Sequence, residues 1–343
     1  MKNKLNQELI NAETRINSGV DAGSINKKAV VIIPNYNGAK YISACLLALR
    51  EQTCRDFSVC VVDNGSADGS DKTVSEDFPE AELIRLKRNA GFAAAVNEGI
   101  RTTSSEYVIL LNNDTEVSKN FVENLIKAID NSKSVFACQA KMLSMRNREV
   151  IDSAGDLYCA LGWAFALGRD KGREHYEEEA ELFSACAGAA IYRRSLFEKT
   201  GLFDEKHFCY LEDVDLCYRA RINGYKVRLC PGAIVYHAGS GTSGSRHNAF
   251  KVRLSIRNNI YLIYKNMPFL QLLLNLPLIL AGYLVKLFYF AGKGLAGAYL
   301  QGTVEGFLFC RDTAKYKFRG ENFRHYLRIQ LELWVNTIRR MTG

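Results

Sequence analysis

Unbroken apolar runs, each closed by a short polar cluster, set the rhythm of the first third of this chain. Residues 29–34 (AVVIIP) lead into Asn35, Tyr36, Asn37 and Gly38, followed by an amphipathic stretch over 40–51. Residues 58–62 (SVCVV) lead into Asp63, Asn64, Gly65 and Ser66, and residues 107–111 (YVILL) into Asn112, Asn113 and Asp114. A further strand around 83–86 precedes Asn89, Ala90, Gly91 and Phe92, which open a small-residue helix running to Asn97. Apolar runs without alternation mark strands covered on both faces, so the pattern predicts strand–loop–helix units on a largely parallel sheet. The fold class expected is α/β.

Ligands of such sheets bind beyond the carboxyl ends of the strands. Asn35, Asp63 and Asp114 all stand there, so three loops would bring amide and carboxylate groups to one crevice. Any one of these clusters alone reads more readily as a turn or helix cap; three in series reverse the preference and favour a site. Small residues after Asn89 let a helix N-terminus approach a bound group, and its unpaired N–H groups suit a phosphate. There is no P-loop and no G-x-G-x-x-G.

A second informative block spans 181–237. Residues 184–192 (SACAGAAIY) suit a strand against a pocket, and Gly201 to Glu205 form a turn. Glu212, Asp213 and Asp215 then crowd the start of a predicted helix. Three carboxylates so close are unfavourable when buried, and a helix N-terminus offsets part of that penalty. Asp215 is placed to cap the helix or to pair with Arg219 at i+4.

Composition narrows the partners. Of 343 residues 48% are hydrophobic, enough for one large core and an appendage. From Arg246 onward there are 15 Lys and Arg against 4 Asp and Glu, although the whole chain carries only +8. That basic tail contains 20 uncharged residues between Lys265 and Lys286, then a second apolar stretch with Lys293 and Glu305. Gln271, Asn275 and Pro277 weaken the first run as a membrane span, so helices lying on an anionic lipid surface are expected. A hairpin anchor and a homodimer interface are the other options. No nucleic-acid motif accompanies the charge. Ten cysteines without any C-x-x-C spacing read as small buried residues of a reducing compartment. The polar first 27 residues lack a signal-peptide pattern, which places the catalytic part in the cytoplasm, at the inner membrane face.

The ordered set of motifs resembles the family 2 inverting glycosyltransferases of the GT-A fold, in particular the rhamnosyltransferase-like branch. It comprises Pro34-Asn35-Tyr36-Asn37, Val62-Asp63-Asn64-Gly65-Ser66, Asn89-x-Gly91-Phe92 with Asn97, and Leu111-Asn112-Asn113-Asp114. Ala187-Gly188-Ala189, Gly201-x-Phe203-Asp204-Glu205, Glu212-Asp213-Val214-Asp215-Leu216 and Val235-Tyr236-His237 complete it. The resemblance implies three parts: a polar segment over 1–27, a GT-A catalytic domain over 28–265, and an apolar, basic helical extension over 266–343. It implies transfer of one sugar, rhamnose being the leading guess, from a dTDP- or UDP-sugar to a hydroxyl of a lipid-linked or cell-surface glycan.

Under that resemblance Pro34, Asn35, Tyr36, Asn37, Asp63, Asn64, Asn89, Gly91, Asn97 and Asn113 hold the donor. Asp63 would accept the N3–H that uracil and thymine share. A departing diphosphate calls for a divalent cation, Mg²⁺ or Mn²⁺; Asp114 and His237 are its implied ligands. Asn112 stands where many family members carry Asp, which leaves fewer carboxylates for the ion. Asp213 is the implied base for the acceptor hydroxyl, with Glu212 holding the acceptor or tuning Asp213. Two rival classes stay open: an inactive sugar-nucleotide-binding scaffold protein, and a nucleotidyltransferase, which would need a basic Gly-rich loop where Asn35 to Gly38 stand. A processive synthase is disfavoured by the lack of a Q-x-x-R-W motif.

Overall fold

The structure, a computed structural model, describes residues 27–239 and 247–342. The polar N-terminal segment up to residue 26, and Arg246 of the basic tail, lie outside the described residues.

The runs read as strands are strands: β1 (Ala29–Asn35), β2 (Phe57–Asp63), β3 (Glu82–Arg85) and β4 (Tyr107–Leu111). They pair parallel in the order β4, β1, β2, β3. The remaining strands are β5 (Thr115–Val117), β6 (Val135–Ser144), β7 (Ile151–Ser153), β8 (Asp156–Cys159), β9 (Trp163–Ala166), β10 (Glu181–Leu182), β11 (Ala189–Arg193) and β12 (Lys226–His237). Beyond β4 the sheet reverses, with β11 antiparallel to both β4 and β6, and β12 again parallel to β6. Strands β5 and β10 pair with β12, β7 pairs with β6, and β8 and β9 form a separate hairpin.

Ten helices accompany them among the described residues: α1 (Ile42–Arg50), α2 (Ser70–Asp77), α3 (Phe92–Thr102), α4 (Phe121–Asp130), α5 (Phe197–Thr200), α6 (Glu212–Ile222), α7 (Ala249–Asn266), α8 (Phe269–Ala291), α9 (Ala296–Arg311) and α10 (Phe323–Thr342). The lack of alternation in β1 now has its cause. Val31 and Ile33 enter the core beneath α1 and α4, while Val30 and Ile32 enter the core beneath α3. A side chain on Gly99 would stand 2.7 Å from Ile32 Cγ2, so glycine there lets α3 lie close on the sheet.

One expected strand is shorter than the sequence suggests. Of residues 184–192 only Ala189 onward joins the sheet. Before it the chain turns, with Cys186 N–H donating to Gln139 Oε1 at 2.7 Å and Ala189 N–H to the Cys186 carbonyl at 3.2 Å. The small residues serve this turn as much as the strand. All ten cysteines are free thiols, and seven of them are buried.

The C-terminal helices are not a loose appendage. Leu262, Ile279, Tyr326, Ile329 and Leu333 share a core with Leu157, Tyr158, Phe183, Val214 and Tyr218 of the sheet side. Helix α8 is inverted relative to an ordinary surface helix. Its buried positions are Gln271, Asn275, Ile279 and Gly282, whereas Leu270, Leu273, Leu274, Leu280, Leu284 and Phe288 are exposed. Asn275 and Gln330 exchange two side-chain hydrogen bonds of 2.7 and 2.8 Å, and Gln271 accepts from Tyr218 at 3.0 Å. The polar residues that weaken the run as a span thus face the protein. By length and composition α8 is the one described helix able to cross a membrane.

Candidate active site

Parallel pairing places Asn35 directly beside Asp63 at the carboxyl ends of β1 and β2. Asn35 is fully buried and its amide is a hub. Its Nδ2 donates to Asp63 Oδ1 (3.0 Å) and Ser70 Oγ (2.8 Å), and its Oδ1 accepts from Asn113 Nδ2 (2.7 Å). Ser66 N–H donates to Asp63 Oδ2 at 3.0 Å. Gly38 closes over this pair. A Cβ there would come within 2.2 Å of both Asn35 Oδ1 and Asn113 Nδ2, so the loop after β1 tolerates no side chain at that point. Tyr36 and Asn37 stand exposed at the lip, with Pro34 half-buried behind them.

Asn64 ties the second loop to the entry of α3. Its Nδ2 donates to Asn89 Oδ1 and to the Gly91 carbonyl, both at 3.1 Å, and its Oδ1 accepts from Ala90 N–H at 2.8 Å. Gly91 adopts φ +93° with the Phe208 carbonyl 2.5 Å from where a Cβ would be, which explains glycine at this helix start. Asn97 points elsewhere. Its amide is held by Phe203 on both sides, donating at 2.8 Å and accepting at 3.1 Å, and donates to Glu205 Oε1 at 2.9 Å, so it fastens α3 to the turn that precedes α6.

Asp114 and His237, 123 positions apart in the chain, meet because β12 pairs antiparallel with β5, setting His237 against Thr115. His237 Nε2 lies 3.4 Å from Asp114 Oδ1, and its Nδ1 is 2.7 Å from Asp152 Oδ2. Asp152, on β7, is held in turn by Arg169 at 3.3 Å. Burial alone would lower the His237 pKa, but the bonds and charges of Asp114 and Asp152 push it up to about 9. A carboxylate and an imidazole converging on one point, with the far ring nitrogen fixed by a second carboxylate, fit a divalent cation with an O/N preference. Gly188 makes room for Asn112 beside them, since a Cβ would stand 2.9 Å from Asn112 Nδ2.

Asp213 opens α6 and is oriented by two backbone donors, Val214 N–H at 2.8 Å and Ala187 N–H at 3.2 Å. Burial raises its pKa in spite of those bonds. Glu212 is buried, and its Oε2 has no hydrogen-bond partner among the described residues. Burial and the neighbouring Asp213 push the Glu212 carboxyl well above the usual range. Asp215 does pair with Arg219, at 2.8 Å, and also with Lys265 at 2.9 Å and Asn266 at 2.7 Å. Burial would raise its pKa, yet Arg219 and Lys265 hold it well below the carboxylate range. These contacts bolt α6 to α7.

The segment before α6 is strained, with Phe208, Tyr210 and Leu211 all at positive φ between 63° and 73°. One side chain, Asn258 of α7, donates to the carbonyls of His207, Cys209 and Tyr210 at 2.8 Å each and holds the segment in place. Sequence reasoning missed Asn258, Asp152 and Asp156. The last two flank Ser153, Ala154 and Gly155 just beyond the long apolar run of β6, and acids around a glycine turn at a strand end are the signal that could have found them. Asp156 lies within 4.8 Å of Asp213, measured between carboxylate oxygens.

Comparison with known proteins agrees with this layout. The profile of glycosyl transferase family 2 matches residues 30–201. The chain is similar to the N-acetylglucosaminyl-diphospho-decaprenol L-rhamnosyltransferase of Mycobacterium tuberculosis, at 25% identity over 239 residues, which cover 62% of this chain and 77% of that protein. Its fold is similar to that of GalNAc-T7, solved with UDP, GalNAc and Mn²⁺, with a TM-score of 0.56 at 14% identity; the match covers 73% of this chain and about half, 51%, of that one. It is also similar to the mannosyltransferase PcManGT of Pyrobaculum calidifontis, solved with GDP-Man and Mn²⁺, with a TM-score of 0.52 at 19% identity and covering 89% and 92% of the two chains.

Proposed function

Because this chain belongs to glycosyl transferase family 2, we propose that it moves a single sugar from a dTDP- or UDP-sugar, rhamnose foremost, to a hydroxyl of a lipid-linked or cell-surface glycan with inversion. The observation that carries the reading is the convergence on one sheet edge of the Asn35–Asp63–Asn113 cluster, the Asp114–His237 pair and Asp213. Asp63 and the lip residues Tyr36 and Asn37 take the base and ribose, with Pro34 behind them. Asn35, Asn64, Asn89, Gly91 and Asn113 shape that pocket from beneath, and Asn97 braces α3 against the turn before α6. Asp114 and His237 hold Mg²⁺ or Mn²⁺, which when bound neutralises the charge on the departing diphosphate. Asp213 takes the proton of the attacking hydroxyl, and Glu212 borders it on the acceptor side. Residues 28–265 form the catalytic unit and 266–343 its extension.

The test is donor hydrolysis by the purified chain across dTDP-, UDP- and GDP-sugars, with Mn²⁺ and then with chelator. Release of dTDP or UDP from one donor, lost on chelation, is the expected result. Donor binding without turnover favours the scaffold alternative, and neither binding nor turnover overturns the reading.

The acceptor class follows from the extension. Leucines and phenylalanines are exposed on α8, as are Leu300, Val304 and Phe307 on α9 and Leu331, Trp334 and Ile338 on α10, in the basic part of the chain. Apolar contact plus cationic charge fits an anionic membrane surface, here the cytoplasmic face of the inner membrane. The chain should co-sediment with vesicles containing phosphatidylglycerol far better than with phosphatidylcholine vesicles, and less so in high salt. Leu273→Glu with Leu280→Glu should abolish this; a stable homodimer in solution that ignores vesicles would assign the surface to self-association instead.

A further inference from the structure

The β8–β9 hairpin brings an acid to the site that neither the donor nor the cation accounts for. One carboxylate oxygen each of Asp156 and Asp213, with the Cys186 Sγ, lie within 4.8 Å of one another. Asp156 is held by backbone bonds to Ser184 in both directions, at 3.1 and 2.9 Å. The hairpin it starts is clamped from behind by α10: Ala160 N–H donates to the Leu333 carbonyl (3.1 Å) and Thr337 Oγ1 (3.0 Å), and Asn336 donates to the Tyr158 carbonyl (3.0 Å). Asp213 is fixed from the other side by its two backbone donors. The main chain carrying Asp156 is thus fixed beside Asp213, whose carboxylate is itself held by hydrogen bonds.

We propose that Asp156 is the partner of Asp213 in a two-carboxylate base, in which Asp213 receives the hydroxyl proton of the acceptor and the neighbouring Asp156 carboxylate strengthens it as a base. This rests on the transferase reading above. The acceptor oxygen bonds to the anomeric carbon, the bond from that carbon to the donor's diphosphate oxygen breaks, and its electron pair leaves with the diphosphate. The acceptor proton passes to Asp213 and is released to water after product leaves. Like charges so close oppose double ionisation, so each acid makes the other the stronger base. Asp156 acts through Asp213 and is a positioning residue. Its surroundings agree with this. Asp213, Cys186, Asp152 and Arg169 face it, and Glu212 adjoins Asp213; burial first, then the charge of Asp213, pushes the Asp156 carboxyl up to about 7 against the opposing pull of Arg169.

Two measurements on the full chain test the pair. An acid whose folded pKa is raised weakens the fold progressively as pH climbs above the ordinary carboxyl range, and the loss is complete near pH 7. Asp156→Asn should therefore melt above wild type, with a gap that widens between pH 5 and pH 8. A variant less stable by the same amount at both pH values would make Asp156 an ordinary structural acid and overturn the proposal. In the pH–rate profile of donor turnover, the acidic limb should move down by about one unit in Asp156→Asn and return in Asp156→Glu; an unmoved limb also overturns it. If wild type turns over no donor, the transferase reading falls, and the melting comparison alone decides whether the two acids are coupled.

Discussion

Replacing Asp213 with Asn is expected to lower the rate of sugar transfer by about 10²–10⁴-fold while donor affinity stays at the wild-type value. The substitution keeps the shape of the side chain and removes its capacity to take a proton, and it also gives up one of the two backbone hydrogen bonds, because each carboxylate oxygen accepts one and an amide nitrogen accepts none. The two backbone N–H groups that orient Asp213, from Val214 and Ala187, sit at the junction of α6 with the turn before β11, so the position of the group is set by main chain. Neighbouring Glu212 is buried and its carboxyl is pushed toward the protonated form, which makes it a poor substitute as base. Measuring kcat beside calorimetric donor binding separates the two effects. Unchanged turnover in this variant would sink the assignment of the base.

The second large effect belongs to the Asp114–His237 pair. Asp114→Ala should abolish cation-supported turnover and make donor affinity, measured calorimetrically, the same with and without chelator. Asp152→Asn should be milder. Asp152 meets His237 at the ring nitrogen that faces away from Asp114, so its loss should raise the Mn²⁺ concentration needed for half-maximal activity by about 10–100-fold while saturating Mn²⁺ recovers most of the rate. Equal damage from both substitutions would mean that Asp152 is itself part of the cation's shell. No change in Mn²⁺ dependence from either would remove the pair from that role.

Helices α8 and α10 both touch the β8–β9 hairpin, Trp163 donating to the Gly282 carbonyl of α8 and Asn336 of α10 donating to the Tyr158 carbonyl. The same helix α10 that helps form the proposed membrane face grips the strand carrying Asp156. The strained segment before Asp213 is held by Asn258 of α7, which is joined to α6 through Lys265 and Asp215. Both acids of the proposed pair are thus positioned by helices that follow the sheet in sequence, and through α10 the extension is in direct contact with the strand carrying Asp156.

Strands β1, β2 and β4 were legible to within a residue because apolar runs covered on both faces leave a signal that depends only on local composition. The placement of Asn35, Asp63 and Asp114 at their carboxyl ends was legible for the same reason, and so was the Asp215–Arg219 pair, since i+4 spacing on a helix is a local fact. Only the tertiary structure decided the rest. Which partner fixes His237 depends on β12 lying beside β6 and β5, pairings between segments far apart in the chain that no local pattern encodes. That Asn35 and Asn97 act as buried braces rather than as pocket walls follows from where their amides find partners. That Gln271 and Asn275 face inward, turning the leucines of α8 outward, follows from Tyr218 and Gln330 offering hydrogen bonds that lipid or core could not. The approach of Asp156 to Asp213 comes from a hairpin packed between α10 and the sheet. Periodicity and spacing register what a residue's own segment requires of it; side-chain partners drawn from distant segments are chosen by packing.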